Sequence, residues 1–524
     1  MPKKKLKKLS EAYESLMNSK PTKKSRKKYS SKWIYDDYEY YSNLPKVIPD
    51  DTVPVAFEKS LTNNAQEIRE GNAVPEWMVL DRREHGGFHF GVKKYLGSNH
   101  FIGKPQNKDG HILIVGGPGS GKTSETIMPT FGTWKGHIIA IDVKPKGDLL
   151  AQCEKMSKPL GKQTLVFNPY DEDSFRYDPY AFLIADGKDN LARNSLELAL
   201  NLIAMIPGGT DRVWVQSAQH LLAGIIALHV VDMEATFIKT MDTLQDLSVG
   251  DLIAAIKGSG NTVAKRLVSK LNDLKAETLA GVGMDLTALA ILATDPRVAA
   301  VLTPKESRTI NWNCLNFDIA LINIILQIPE ENLSVWEPMT KLLINQLIKT
   351  LQRRAEKKYN TEETLQPVLI ILDEFVSLGH IASIKQGLAT LRSRGVTFSL
   401  VIQSLAQLES IYGSVGMREI VDLCDYIAIL KLTDPNSQRL VSDIIGTLIV
   451  PGRSISTSHR PGNNEMSNYN LQINESREPI IFPSEFAALK NIVLITPDGY
   501  CRVDKAPYYE SLLSEDSADT IIIQ

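Results

Sequence analysis

HILIVGGPGSGKT, residues 111–123, is a short apolar run that breaks into a glycine-rich loop ending in Lys and Thr. Gly116, Gly117, Gly119, Ser120, Gly121, Lys122 and Thr123 satisfy the pattern G-x-x-x-x-G-K-[ST]. The flanks suit it, with a strand expected over 112–115 and a helix after the loop. Glycines let backbone N–H groups turn inward around phosphates, and the helix start adds a partial positive charge. Lys122 is expected on the β and γ phosphates of ATP, and the Thr123 hydroxyl on Mg2+. Pro129 falls one to two turns into the helix, where it removes a hydrogen bond and is expected to kink or end it.

Outward from this loop, apolar runs at 111–115, 137–142 and 164–168 alternate with helical patterns. That rhythm predicts an α/β domain with a mainly parallel sheet covered on both faces. It stops over 181–315, where apolar residues recur at helical spacing, as in Leu196, Ala199 and Ile203, and in Trp214, Ala218, Leu221, Ile225 and His229. We read this as an inserted all-α domain. Strands are expected again at 319–328, 368–372, 396–402, 426–432 and 491–496, with helices near 335–357 and 381–392. The resulting division is a basic arm and linker over 1–60, the two parts of the nucleotide-binding domain over 61–180 and 316–524, and the insertion between them. Residues 453–476 are polar and rich in Asn and Ser, and are expected to form a mobile loop.

The run 368–372 ends in Asp373 and Glu374, as a Walker B strand does. Asp373 is expected in the Mg2+ shell, and Glu374 to orient or activate the attacking water. The next strand ends at Gln403, a candidate γ-phosphate sensor at the carboxyl edge of the sheet, where open α/β sheets bind ligands. Arg392 and Arg394 precede that strand and read either as solvated charges or as fingers reaching a neighbouring subunit's nucleotide. Asp142, near Lys144, reads either as support for the metal shell or as a structural cap.

Composition sets the class. The chain has 524 residues, 43% hydrophobic and 23% charged, ordinary values for a folded protein of a few domains. Cys153, Cys314, Cys424 and Cys501 are dispersed without a Cys-x-x-Cys pair, so no disulfide framework or thiolate metal site is expected and a reducing, intracellular setting fits. The apolar stretches 220–231 and 319–327 fall short of the ~18–20 residues that cross a bilayer. The basic start is not followed by an apolar core, so no secretory signal is expected. Residues 1–32 hold twelve Lys or Arg against two Glu, a net of +10; the whole chain carries −2, which leaves −12 on the other 492 residues. A basic arm on an acidic body suits nucleic acid or anionic lipid.

The segments at 110–148, 164–169 (TLVFNP) and 367–413 (PVLIILDEFVSLGHIASIKQGLATLRSRGVTFSLVIQSLAQLESIYG) resemble the VirD4/TraG family, the coupling-protein ATPases of type IV secretion and conjugation. The phosphate loop is generic, whereas the stretch from LDEF through IQSLAQLESIYG is far more specific. The resemblance implies a RecA-like P-loop NTPase domain with an all-α domain. It implies a homo-hexamer that recruits a relaxase-bound DNA strand and passes it to the channel proteins of the secretion system. It also implies the roles given to Lys122, Thr123, Asp373, Glu374 and Gln403, favours Arg392 as a finger acting in trans, and makes a proline at 129 usual. Typical members begin with a transmembrane anchor and this chain with a basic arm. It is therefore expected in the cytoplasm, held at the inner face of the plasma membrane by a membrane-anchored partner.

Three other readings stand beside that one: a RecA- or FtsK-class motor that pumps double-stranded DNA, a coupling ATPase for effector proteins, and a receptor that binds nucleotide without hydrolysing it. A phosphate loop does not select the substrate, but intact Lys122, Asp373 and Glu374 weigh against the receptor.

Overall fold

The computed structural model describes residues 68–509 apart from 72, 95, 98, 144–148, 204–211, 232–234, 274, 307, 317–319, 357–364 and 460–465. The arm expected over 1–60 and Lys144 lie outside the described residues. In chain order the strands are β1 (Val79–Asp81), β2 (Gly87–Gly91), β3 (His100–Pro105), β4 (Ile112–Val115), β5 (His137–Asp142), β6 (Gln163–Phe167), β7 (Arg176–Tyr177) and β8 (Thr309–Ile310). They continue as β9 (Ile322–Gln327), β10 (Val368–Leu372), β11 (Val396–Ile402), β12 (Tyr426–Ile429), β13 (Thr447–His459), β14 (Met466–Pro479), β15 (Ile492–Thr496) and β16 (Gly499–Val503).

Nine of them form one sheet in the order β16-β15-β12-β4-β11-β10-β5-β9-β6. From β12 to β6 every pairing is parallel, and the β15–β16 hairpin closes the β12 edge in antiparallel fashion. Every residue of β4, β5, β10 and β11 is buried. Leu113 and Val115 enter one apolar cluster while Ile112 and Ile114 enter the other. Such strands read as unbroken apolar runs because both faces are covered. The sheet expected from the sequence is present, with small shifts at the ends of β6, β9 and β12.

The helical insertion runs from Ala181–Asp186 to Pro296–Val301. The short parallel pair β7–β8 clasps the chain where it leaves the sheet and where it returns. Trp312 Nε1 donates to Tyr177 Oη at 3.2 Å, tying this clasp together through a buried bond. The apolar stretch at 220–231 proves to be the end of a longer helix, Arg212–Val231. Its segment Val213–Val231 is long and apolar enough to cross a membrane by length and composition, with 56% of that window buried inside the fold. This corrects the expectation that no segment reaches that length: Gln216, Ser217 and Gln219 interrupt the apolar run in sequence but not the helix. Ala218, Leu221, Leu222, Ile225 and Ile226 are almost fully buried, as in the core helix of a helical domain.

Two elements depart from expectation. Of the stretch 453–476, residues 453–459 and 466–476 belong to a long antiparallel hairpin, β13–β14, rather than to a loop. Register places Arg453 opposite Ile473, Ile455 opposite Leu471 and Thr457 opposite Tyr469. Residues favourable to strands thus alternate with Ser and Asn, which is strand periodicity hidden by a polar composition. Ahead of the phosphate loop, β1, β2 and β3 form a separate three-stranded sheet in the order β1-β3-β2 that was not anticipated. Its Phe88, Phe90 and Ile102 share an apolar cluster with Phe131, Trp134 and Tyr426.

That small sheet explains Pro129. The helix after the phosphate loop opens with a π turn, Thr123–Ile127, in which the Met128 N–H donates to Thr123 O. Proline at 129 has no N–H for the Glu125 carbonyl and would crowd it in α geometry, so a wider turn relieves the clash. The Glu125 carbonyl instead accepts from His89 Nδ1 of β2 at 3.2 Å. Burial, reinforced by nearby Arg82, drives His89 from 6.5 down to about 3, so its ring is neutral. The unfolded chain takes up a proton below pH 6.5 while the folded site resists it down to about 3, so stability is lost as pH falls through this window. Thermal midpoints measured from pH 8 to 4 should fall on acidification, and fall less in His89→Gln. Equal losses in both proteins would contradict this role.

Candidate nucleotide site

The strand order sets the geometry. β11 lies between β4, which delivers the phosphate loop, and β10, which ends at Asp373. Asp373 and Gln403 therefore emerge beside the loop at one edge of the sheet. The Thr123 hydroxyl, 250 positions from Asp373 in sequence, donates to Asp373 Oδ2 at 3.4 Å. A hydroxyl and a carboxylate this close supply the hard oxygen donors that Mg2+ takes.

Within the loop, Lys122 is 8% exposed, and its Nζ donates to Gly116 O at 2.6 Å and Gly117 O at 3.3 Å. Gly121 has φ +96°, and a Cβ there would lie 2.7 Å from Glu125 Cγ, so the position requires glycine. At Gly116 a Cβ would lie 2.6 Å from Ser120 Oγ and 2.9 Å from Leu430 Cβ, which would push the loop off the sheet. Ser120 Oγ is buried with no hydrogen-bond partner among the described residues, which fits a phosphate oxygen as its acceptor.

Glu374 is the single non-glycine residue with positive φ among the described residues, at 53°. Such a conformation costs ~1–3 kcal/mol and persists only where the surroundings enforce it. Its carboxylate Oε2 accepts from Gln403 Nε2 at 2.9 Å. Gln403 thus meets the carboxylate directly, a contact that strand-end position alone does not reveal.

Asp142 is buried at the end of β5, the neighbour of β10, and Gln327 Nε2 donates to its Oδ2 at 3.5 Å. Arg392 stands apart from the cluster. It pairs with Asp425 at 3.1 Å at the amino end of β11, whereas Gln403 follows the carboxyl end. The seven residues of β11 separate these ends by ~20 Å, so Arg392 does not serve its own chain's phosphate loop. Arg394, beside it, donates to Arg354 O and pairs with Glu356.

Sequence reasoning missed the C-terminal brace. Lys505 Nζ donates to Ser120 O at 2.7 Å, and the Tyr508 N–H donates to Ser124 O at 3.0 Å. The chain beyond β16 thereby returns to the phosphate loop and the first turn after it. A lone Lys nearly 400 positions away carries no local signal of this; only the pairing of β15 on β12 brings it there.

A parallel sheet with one strand between the phosphate loop and the acidic strand end, and a polar residue on that middle strand, defines a RecA-type P-loop nucleotide-binding fold. The chain belongs to the family described as "Type IV secretory system Conjugative DNA transfer", whose model matches residues 59–522. It is similar to protein VirD4 of Agrobacterium fabrum, with 26% identity over 415 residues, 76% of this chain and 58% of that protein. It is also similar to the conjugal transfer protein TraG of Escherichia coli, at 22% identity over 74% of this chain and 64% of that one. The chain thus spans less than two thirds of the length of either relative. Among solved structures, the bacterial conjugative coupling protein TrwBdeltaN70 superposes with a TM-score of 0.60 at 14% identity, over 84% of this chain and 91% of that one. The plasmid coupling protein TrwB in complex with ADP and Mg2+ gives 0.57 at 16% identity, over 81% and 91%.

Proposed function

We propose that this chain is an ATP-hydrolysing coupling protein that recruits relaxase-bound DNA and drives its transfer through a type IV secretion channel. The observation that carries the reading is the convergence of Thr123, Asp373, Glu374 and Gln403 beside the phosphate loop. Family membership and the ADP–Mg2+ complex of TrwB support it.

In this account Lys122 leaves the loop carbonyls for the β and γ phosphates, and inward-facing backbone N–H groups hold the rest of the chain of phosphates. Thr123 and Asp373 hold Mg2+, which when bound neutralises charge on the phosphate oxygens. Glu374 orients the attacking water and takes its proton, and Gln403 fixes the carboxylate and senses the γ phosphate. Asp373 would serve nucleotide binding alone, but Glu374, a carboxylate next to it held toward Gln403, has no use in a receptor that never hydrolyses, so hydrolysis is the better reading.

The reading includes a homo-hexameric ring. Arg392 pairs with Asp425 at the far end of β11 from its own loop, so a role for its charge at the phosphates requires the nucleotide of a neighbouring subunit. We place the ring at the inner face of the plasma membrane, with channel proteins and a membrane-anchored partner; the +10 of residues 1–32 favours contact with anionic lipid or with DNA. Assembly then controls activity. Specific ATPase activity should rise with protein concentration, and Arg392→Ala should lower the assembled rate by ~10²-fold and abolish the rise. Full activity in diluted monomer would remove Arg392 from the mechanism.

A further inference from the structure

One stretch of chain holds Glu374 from two sides. Gln403 contacts the carboxylate itself at 2.9 Å. The loop that follows Glu374 rests on Tyr412, whose ring stacks on Phe375 with centroids 5.6 Å apart and planes 24° from parallel. The His380 ring lies 4.8 Å from the same ring, and the Ile381 N–H donates to Tyr412 Oη at 3.1 Å. Phe375 is fully buried and Tyr412 half-buried. Burial pushes the Tyr412 hydroxyl up to about 12, so it stays protonated and neutral.

The two contacts belong to one mechanical unit. Ser404 Oγ accepts from the Gln407 N–H at 3.2 Å and caps a helix that begins at Leu405. Immediately after Tyr412, Gly413 leaves helical geometry with φ 71° and ψ 168°. Residues 405–412 therefore make a segment of about two turns, with Gln403 and its carboxylate contact at one end and the Tyr412 ring and a backbone break at the other.

We propose that Tyr412 is a positioning residue for Glu374. It acts through Phe375 and Ile381 to hold the left-handed turn that aims the carboxylate at Gln403 and the phosphates. This deepens the hydrolytic reading and rests on it. A strained backbone needs over-determined surroundings, and a turn fixed only at the Gln403 end is free to relax at the other. Because both contacts ride on one segment that ends at Gly413, a displacement of that segment re-aims Glu374 without disturbing the phosphate loop.

The test measures kcat, KM, ATP affinity and melting temperature for the wild type and for Tyr412→Phe, Tyr412→Leu and Tyr412→Ala, with Lys122→Ala as the blank. The Leu and Ala variants should lose ~10- to 100-fold in kcat with ATP affinity unchanged. Tyr412→Phe keeps the stacked ring and loses only the acceptor for Ile381, so it should lose ~2- to 5-fold in kcat at unchanged KM. A folded Leu or Ala variant with wild-type kcat overturns the proposal, as does a loss of affinity and melting temperature that tracks the loss of kcat. If the truncated variants do not fold, Tyr412→Phe decides, and wild-type kcat there overturns it. A wild type no faster than Lys122→Ala overturns the hydrolytic reading itself, which is a separate result.

Discussion

Glu374→Gln is expected to lower ATP turnover by ~10²- to 10⁴-fold while ATP affinity stays near that of the wild type. Glutamine has the same shape, and its amide oxygen still accepts from Gln403 Nε2 where Glu374 Oε2 now does at 2.9 Å. The left-handed backbone at this position and the buried Phe375 beyond it are left as they are. What is lost is the negative charge and the site that takes the proton from water. Phosphoryl transfer relies on positioning and electrostatics more than on covalent help, so the loss falls on the chemical step and not on binding. Equilibrium ATP binding and single-turnover hydrolysis, measured on the same preparation, separate the two. Turnover within tenfold of the wild type would pass the role to another carboxylate, with Asp142 the buried one at the same sheet edge.

Lys122→Ala should act one step earlier. Truncating one partner of a buried, hydrogen-bonded charge pair costs ~2–5 kcal/mol, which is roughly 30-fold or more in nucleotide affinity, and hydrolysis should fall to background. Lys122 donates to the carbonyls of Gly116 and Gly117 in its own loop. Lys122 belongs to neither apolar cluster, so its removal loosens the loop and the melting temperature should stay close to that of the wild type. Titration with a fluorescent ATP analogue reads the affinity. Undiminished binding in a folded variant would mean that the phosphates do not sit where the loop places them.

The two variants divide the site as the strands do. Lys122 follows β4 and Glu374 follows β10, while Gln403 follows β11, the strand between them. Much of this was legible in sequence because the physics is local. β4, β5, β10 and β11 are buried on both faces and so read as apolar runs, and the glycines and Lys122 keep the fixed spacing that a phosphate cradle needs. Asp373 and Glu374 follow from their place at a strand end.

What escaped notice depends on contacts between distant segments, or on patterns that composition conceals. Nothing near Lys505 announces its bond to Ser120, because the β15–β16 hairpin alone carries it there. Pro129 is a cost in sequence alone, and only the fold supplies the His89 ring that meets the Glu125 carbonyl. The β13–β14 hairpin reads as a loop because the stretch is polar and rich in Ser and Asn, although Tyr469, Leu471 and Ile473 recur at a spacing of two. Arg392 precedes its strand in sequence, but its distance from its own loop follows only from the direction in which β11 runs. Strand direction also explains why Tyr412 went unnoticed: the turn after β10 and the helix after β11 meet only once both strands are laid parallel.

The most direct test of the account is ATP hydrolysis by the wild type with and without single-stranded DNA, at several protein concentrations, with Lys122→Ala alongside. Turnover should rise with both DNA and protein concentration and vanish in the variant. Bound nucleotide with no turnover under any of these conditions would contradict it and leave a receptor that uses ATP only as a structural ligand.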